Sequence, residues 1–317
     1  MNLPNSVLSA LRWSASARLA SQIITWAMTL VVIRILAPTD YGLLAMATAV
    51  ITFLVMLAEF GLGTALVQAK EVDTAMLRNA FGLVLAIDFA LTAVLVLGAP
   101  LVAAFFDEPR LVLIIRVLAI QFVIAAFSVI PDSLLQRGMV FRGKSLIDLA
   151  SAVLGGIASL SLALAGAGVW ALVGGMLLSQ TVKTVGVNII SPFAHLPGFS
   201  PKGMRSLLLF GGHVTIVQVV WTLVSQIDVI IGGRWLGKEV LGLYSVAMHL
   251  ASLPNQKISG IINQVAFPAF ARIQEDIKQV SKHLLMVFRL LSFFAFPVGW
   301  GISSMTGLNS PVRIDYD

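Results

Sequence analysis

The sequence predicts an all-α, polytopic helical membrane protein with about nine transmembrane helices, built as a two-lobe repeat whose second lobe is incomplete. Of its 317 residues, 58% are hydrophobic and only 11% are charged, whereas about a quarter of a soluble domain is charged. Several apolar stretches reach the roughly 20 residues that a helix needs to cross a bilayer. The segment 34–47 also returns 200 positions later. The short alternating segments of an outer-membrane barrel are not evident.

Nine apolar stretches account for most of the chain, and each is expected to span the membrane. They lie at 15–36, 43–66, 80–105, 111–131, 146–168, 170–194, 207–232, 240–265 and 284–305. The gaps carry turn residues, as in APTDYG at 37–42 and GKEVLG at 237–242. Six spans form the predicted N-terminal lobe 1–198 and three form the partial C-terminal lobe 199–305, and an atypical tail, 306–317, follows.

Basic residues are distributed unevenly between the two sides of the membrane that these spans define. The side of the N-terminus holds twelve lysines and arginines in its loops, and the opposite side holds five. Because cytoplasmic loops are enriched in basic residues, we expect the N-terminus to be cytoplasmic. The net charge of +6 does not indicate a nucleic acid partner, since the basic residues lie between apolar segments and not in one run with interleaved aromatics.

The patterns of common enzyme sites are missing from the sequence, which contains no HExxH, GxSxG or Walker motif. The four histidines are scattered and cysteine is absent, so no metal or cofactor is expected. The glycines of LGGIAS are typical of closely packed membrane helices rather than of phosphate loops. We therefore expect a protein that is not an enzyme.

The repeat joins two positions that have the same predicted place in the fold. Shifted by 200, the segments 34–47 and 234–247 match at five of fourteen positions, which include an arginine, two leucines and a glycine. Chance in a biased composition is the alternative. Against it, both segments cover a tight connection between two spans on the outer side. An even number of spans per copy gives both halves one orientation, as in transporters with parallel repeats and a central site.

Both copies also begin with a helix that carries one polar stripe. Span 1 places Ser14, Arg18, Gln22, Thr25 and Thr29 on one face, and the corresponding part of span 7 holds Gln218, Thr222 and Ser225. Hydrogen bonding between helices would explain the serines and threonines. Arg18, Gln22 and Gln218 are candidates for lining a water-filled cavity.

Charged residues within the spans are further candidates, because a charge near the bilayer centre costs on the order of 2.5–3.5 kcal/mol. Lys183 lies within LLSQTVKTVGVN, and Lys257 follows Pro254 in LPNQKISGIINQ. The alternative for either lysine is that it reaches the nearest headgroups. Asp88 and Glu59 are candidates for carrying a coupling ion, and an ion pair or a reach to the interface is their alternative.

Three stretches resemble one known family. They are RILAPTDYGLLAMATAVITFLVMLAEFGLGTALVQ, LLQRGMVFRGKSLIDLAS at 134–151, and QIDVIIGGRWLGKEVLGLYSVAMHLASLPNQKISGIINQVAFPAFARIQED at 226–276. They resemble bacterial polysaccharide exporters and lipid-linked oligosaccharide flippases, of the O-antigen and colanic-acid type. These belong to the multidrug/oligosaccharidyl-lipid/polysaccharide exporter superfamily.

The resemblance implies two six-helix lobes around a central cavity in the bacterial inner membrane. It implies alternating access that moves an undecaprenyl-pyrophosphate-linked glycan between leaflets, with membrane lipids and the polysaccharide polymerisation machinery as partners. A pyrophosphate needs cationic partners, which Arg18, Lys183 and Lys257 could supply. Gln22 and Gln218 could bind sugars. The family pattern does not itself fix these five positions.

The end of the chain departs from the family pattern, which continues for several helices beyond the ninth span. We therefore expect transport by this chain alone to be compromised. Two alternatives stay open at this point. One is a multidrug or cation antiporter of the same superfamily, and the other is an inactive membrane remnant or scaffold.

Overall fold

The computed structural model describes residues 26–59, 63, 66, 72–138, 140–200, 222–252, 289 and 296, and it is helical in all its regular parts. Eight helices are described. They are α1 Trp26–Ile35, α2 Pro38–Glu59, α3 Thr74–Phe106, α4 Leu111–Arg137, α5 Phe141–Leu164, α6 Val169–Ile190, α7 222–235 and α8 237–252. The described ranges contain no strand. The predicted all-α class is confirmed.

Four of these helices are long and apolar enough to cross a membrane. The segments are Pro38–Met56, Thr74–Phe106, Leu111–Arg137 and Gly143–Leu164. At 1.5 Å per residue, even the 19 residues of the shortest segment extend roughly 28 Å, close to the thickness of a hydrocarbon core. Helix α6 is also 22 residues long but carries more polar residues in its second half. The chain is a multi-pass membrane protein, whereas the count of nine spans stays a prediction.

The prediction of turns at 37–42 and 237–242 is wrong for most of these residues, which are helical. Helix α2 begins at Pro38 and helix α8 at residue 237, so these residues form first helical turns. Proline suits the first helical position because it has no N–H to leave unpaired and its φ already matches a helix. Asp40 lies in the same turn, where the helix dipole favours an acidic residue.

Helices α3 and α4 form the central hairpin of the bundle. Helix α3 begins after Asp73, whose carboxylate accepts a hydrogen bond of 2.6 Å from the Met76 amide. It ends at Phe106, and the next residue, Asp107, adopts a left-handed conformation with φ 55°. Apolar residues at helical spacing on α3 and α4 make the largest buried cluster, together with residues from α2, α6 and α8.

This cluster extends inward from the end of the bundle where α2, α4, α6 and α8 begin, as far as Leu95 and Phe122. It includes Leu43, Phe106, Leu111, Val169 and Leu241, each of which lies within a few residues of a helix end. We call this the outer end, since the distribution of basic residues predicts that it faces away from the cytoplasm. The opposite end is called the inner end.

Helices α5 and α6 pack closely through small residues, as the glycines of LGGIAS predicted. A Cβ on Gly155 would lie 2.8 Å from the Gly175 carbonyl oxygen, and a Cβ on Gly175 would lie 2.9 Å from the Gly155 carbonyl oxygen. Ser159 and Ser179 flank the crossing one turn further along each helix. Close backbone approach of this kind is the usual way in which helices associate in lipid.

The contacts between residues divide the chain into two compact units, Met1–Leu243 and Tyr244–Asp317. All contacts discussed below lie within the first unit. The division into lobes at residue 198 stays a prediction.

Candidate functional site

Lys183 lies on α6, which is held against α4 by two hydrogen bonds next to this lysine. Thr184 Oγ1 donates to the Ile124 carbonyl at 3.2 Å, and Asn188 Nδ2 donates to the Phe127 carbonyl at 2.9 Å. Lys183 itself is partly buried. Within the part of the chain that the structure describes, its ammonium group has no hydrogen-bond or ion-pair partner. The lysine is therefore positioned by its neighbours on α6, and no described residue occupies its ammonium group.

The depth of Lys183 differs from the prediction, because α6 ends at Ile190 and not at 194. Seven residues separate Lys183 from that end, a rise of roughly 10 Å. The helix stops there because Ser191 precedes Pro192, and a residue before proline is disfavoured in helical conformation. Lys183 thus lies about two turns from the inner end rather than at mid-span.

Asp88 lies in the interior of the bundle. It falls on the buried face of α3 between Val84 and Leu95, and its side chain is 2% exposed. Its Oδ1 has no hydrogen-bond partner, and Thr92 Oγ1 donates to the Asp88 backbone carbonyl instead. Among the described residues Asp88 forms no ion pair, and the two alternatives for this residue stay open.

Asp88 and Lys183 lie at about the same level of the bundle. Arg116 Nε donates to the Val96 carbonyl at 3.3 Å, and Thr92 Oγ1 lies 3.5 Å from the Ala119 carbonyl oxygen. These two pairs show that α3 and α4 run antiparallel, so one more turn places Asp88 beside the part of α4 near Ile124. The Ile124 carbonyl is the group that binds Thr184, the residue after Lys183. A lysine and an aspartate thus share one level, and the described residues contain no ion pair between them.

Gln121 is a third polar residue at this level, and the sequence analysis missed it. It lies on α4 one turn before Ala125, and its Nε2 is buried without a hydrogen-bond partner among the described residues. A buried amide without a partner is unfavourable by roughly 1–3 kcal/mol, which makes it a candidate for binding a ligand or water. The signal was present, since Gln121 is the one polar residue in the apolar stretch 117–127.

The other predicted site residues are not placed by the structure. Arg18, Gln22, Gln218 and Lys257 lie outside the described residues. Glu59 is the last residue of α2, and its side chain is not described.

An apolar cavity of about 320 Å³ lies between α2, α3 and α7. Phe53, Leu54, Val94 and Leu95 are among its lining residues. Neither Lys183 nor Asp88 lines it, so this cavity is not the positively lined one that the sequence predicted.

Thr222, from the second polar stripe, is at the edge of the same cavity. Its hydroxyl donates to Met56 Sδ at 3.1 Å. Hydrogen bonding between helices is the alternative that the sequence offered for the threonines of this stripe. Thr222 therefore contributes to the packing of α7 against α2. Gln226, one turn further along α7, also lines the cavity.

Comparison with known proteins places the chain in a family. The model of a family described as "Polysaccharide biosynthesis protein" matches residues 31–308. The chain is 26% identical to the succinoglycan biosynthesis transport protein ExoT of Rhizobium meliloti, over 92% of this chain and 59% of that protein. It is 27% identical to the teichuronic acid biosynthesis protein TuaB of Bacillus subtilis, over 96% and 64%.

A third relative has a related role in its name. The chain is 26% identical to the lipopolysaccharide biosynthesis protein WzxC of Escherichia coli, over 95% of this chain and 62% of that protein. The chain thus spans about three fifths of the length of the curated relatives that it matches. No solved structure matches it. With four long apolar helices and a family match over most of its length, the chain belongs to the bacterial polysaccharide biosynthesis and transport proteins of the exporter and flippase type.

Proposed function

We propose that this protein moves a lipid-linked oligosaccharide or polysaccharide across the bacterial inner membrane by alternating access, without covalent chemistry on the substrate. The family supports the class of substrate, since relatives are named for the biosynthesis or transport of succinoglycan, teichuronic acid and lipopolysaccharide. The observation that carries the proposal is the partly buried lysine at position 183, which lies two turns from the inner end and has no partner among the described residues.

The position of Lys183 suits the capture of an anionic headgroup. A glycan carried on undecaprenyl pyrophosphate would enter from the cytoplasmic side, where about two turns of α6 separate Lys183 from the end of the helix. An ammonium group binds phosphate as a compact charge with three donors. Thr184 and Asn188 already bind α4, so they position the helix rather than the ligand. Gln180, three residues before Lys183 and partly buried, presents an amide on the same face.

Asp88 has the properties of an ion-coupling group in this scheme. Its carboxylate is buried, lies at the level of Lys183 and has an oxygen without a hydrogen-bond partner in the described part of the chain. A buried carboxylate that binds and releases a proton or a metal cation can link an ion gradient to a conformational change. Glu59 joins it in the proposal as a second carboxylate on α2.

The remaining parts of the proposal come from the sequence. Arg18, Gln22, Gln218 and Lys257 would complete the substrate site from the first helices of both copies. The N-terminus would be cytoplasmic, and residues 1–198 and 199–305 would form the first lobe and part of the second. Membrane lipids and the polymerisation machinery would be the partners.

Removal of the Lys183 charge is expected to lower glycan export about tenfold or more, because a charge-assisted contact contributes roughly 1.5–3 kcal/mol. Lys183→Ala should show this loss and Lys183→Arg should retain much of the export. The measurement is surface polysaccharide, together with lipid-linked precursor retained in the inner leaflet, in a bacterial strain that depends on this protein for export. Membrane abundance should stay normal because Lys183 has no hydrogen-bond or ion-pair partner among the described residues.

A matched control is Arg110→Ala, which removes an exposed basic residue at the outer end. It should leave export unchanged. Export by Lys183→Ala at the parent level would remove this lysine from the substrate site and leave the proposal without its main support.

A further inference from the structure

Gly42 and Gly242 occupy equivalent positions in the two copies of the repeat, and each contacts the other copy. A Cβ at position 42 would overlap the backbone carbonyl of Lys238. A Cβ at position 242 would overlap the backbone carbonyl of Pro38. Since Pro38 and Lys238 are themselves 200 positions apart, the shift of 200 converts one contact into the other. The contact is therefore symmetric between the copies, like the two-fold interface of a homodimer.

The local backbone agrees with this equivalence. Helix α1 ends at residue 35 and helix α7 at residue 235. The Leu36 amide donates to the Val32 carbonyl at 3.0 Å, and the Leu236 amide donates to the Gly232 carbonyl at 2.8 Å. Both copies thus close a helix in the same way and start the next helix within two residues.

Residues of the second copy also pack against the first six helices around this contact. Leu241 is 1% exposed and belongs to the main cluster at the outer end. The Phe106 ring packs on Gly233, with its Cε1 2.7 Å from where a Cβ would lie. At the rim, Lys238 Nζ lies 2.6 Å from Glu108 Oε2, and the Arg234 guanidinium lies 6.0 Å from the centre of the Phe105 ring.

We propose that this symmetric glycine contact is the seal that closes the outer end of the protein, and that the Lys238–Glu108 ion pair holds it shut. The consequence for transport rests on the proposed function, because alternating access requires the two copies to separate at this end. Two glycines allow the two backbones to touch, and such contacts are weak enough to reopen. The ion pair adds an electrostatic attraction between the two copies at the partly exposed rim of this contact.

The glycines predict one measurable result. Gly42→Ala and Gly242→Ala should each open the outer end, because the atoms that a methyl group would meet belong to the backbone and cannot move aside as a side chain could. Gly98→Ala is the matched control, since a Cβ on this helical glycine of α3 would meet no atom within 4 Å. The chain contains no cysteine, so Val229→Cys, on a residue packed against the main cluster, adds a unique reporter.

The reporter is treated with a membrane-impermeant thiol reagent from the outer side of right-side-out vesicles. We expect little labelling in the Val229→Cys parent and several-fold faster labelling after either glycine substitution, to similar extents in both. The Gly98→Ala variant should label like the parent. Equal labelling of all four proteins, or an effect of one glycine without the other, would overturn the symmetric seal.

Charge reversal provides a second test, which can be carried out even if the glycine variants do not fold. Glu108→Lys and Lys238→Glu should each speed the labelling, and the double variant should restore the slow rate because it rebuilds the pair in reverse. Failure of the double variant to restore it would contradict the role of the ion pair. Labelling does not involve the glycan. A seal confirmed by labelling, in a protein whose export ignores Lys183→Ala, would therefore reject the proposed substrate site and keep the seal.

Discussion

Replacement of Asp88 with asparagine should stop gradient-driven export and leave the protein in the membrane at its normal level. Asparagine has nearly the same shape as aspartate, so the packing of α3 against α4 should survive. The amide, however, cannot bind and release a proton, and it binds a metal cation more weakly than a carboxylate does. We expect export to fall to the level of a strain without the protein, because Asp88 is buried and lies in the interior of the bundle.

The Asp88→Leu variant separates a coupling role from a structural one. If Asp88 were only a buried polar residue, leucine would remove an oxygen without a partner, which commonly stabilises a protein or leaves it unchanged. Export should then persist. If Asp88 carries the coupling ion, leucine should block export as asparagine does, with folding intact.

The measurement is export in energised cells and in cells treated with an uncoupler. Glu239→Gln is the control, because it removes an exposed carboxylate at the outer end and should change nothing. Parent-like, uncoupler-sensitive export by Asp88→Asn would exclude this residue from ion coupling.

Replacement of Gly155 with leucine should strongly destabilise the packing of α5 against α6. A Cβ added at Gly155 would lie 2.7 Å from the Ser179 Cβ and 2.8 Å from the Gly175 carbonyl oxygen. A leucine would push α5 away from α6 and would disturb the helix that carries Lys183. Overpacking costs roughly 1–3 kcal/mol, which corresponds to a fall of about 2–12 °C in thermal midpoint.

Gly98→Leu is the matched control for this prediction. The control glycine also lies within a long apolar helix, but it borders the cavity of about 320 Å³, where a leucine has room. Heating of detergent-solubilised protein, followed by size-exclusion chromatography of the folded fraction, gives both midpoints. Equal midpoints for the two variants would show that the α5–α6 crossing does not depend on small residues.

Composition and periodicity predict the helical class and most helix positions, whereas helix ends depend on details that they do not reveal. Proline and aspartate at 38–40 are typical of turns, yet the same residues are favoured in a first helical turn, and the structure has them there. Ile190 ends α6 four residues earlier than the apolar stretch, because Ser191 precedes Pro192. That shift changes the depth of Lys183 and so its role in the proposal.

The sequence pattern does not identify residues whose role depends on the groups that surround them in the folded protein. A shift of 200 aligns Gly42 with Gly242 in the sequence. Only the packed helices show that each glycine meets a backbone carbonyl of the other segment. Asp88 could be recognised as unusual from the sequence. Its isolation from every described cation could not, because that depends on which faces of α3 and α4 meet.

The central claim is that Lys183 lies on a water-filled path open to the cytoplasmic side and closed at the outer end. Lys183→Cys in this naturally cysteine-free chain tests it directly with a membrane-impermeant thiol reagent. Val185→Cys, on the exposed apolar surface of the same helix, is the control, because a thiol in lipid does not form the reactive thiolate.

We predict that Lys183→Cys reacts when the reagent is added to the inner side and not when it is added to the outer side. Val185→Cys should react from neither side. An unreactive Lys183→Cys, or one that reacts equally from the outer side of the intact protein, would contradict the claim.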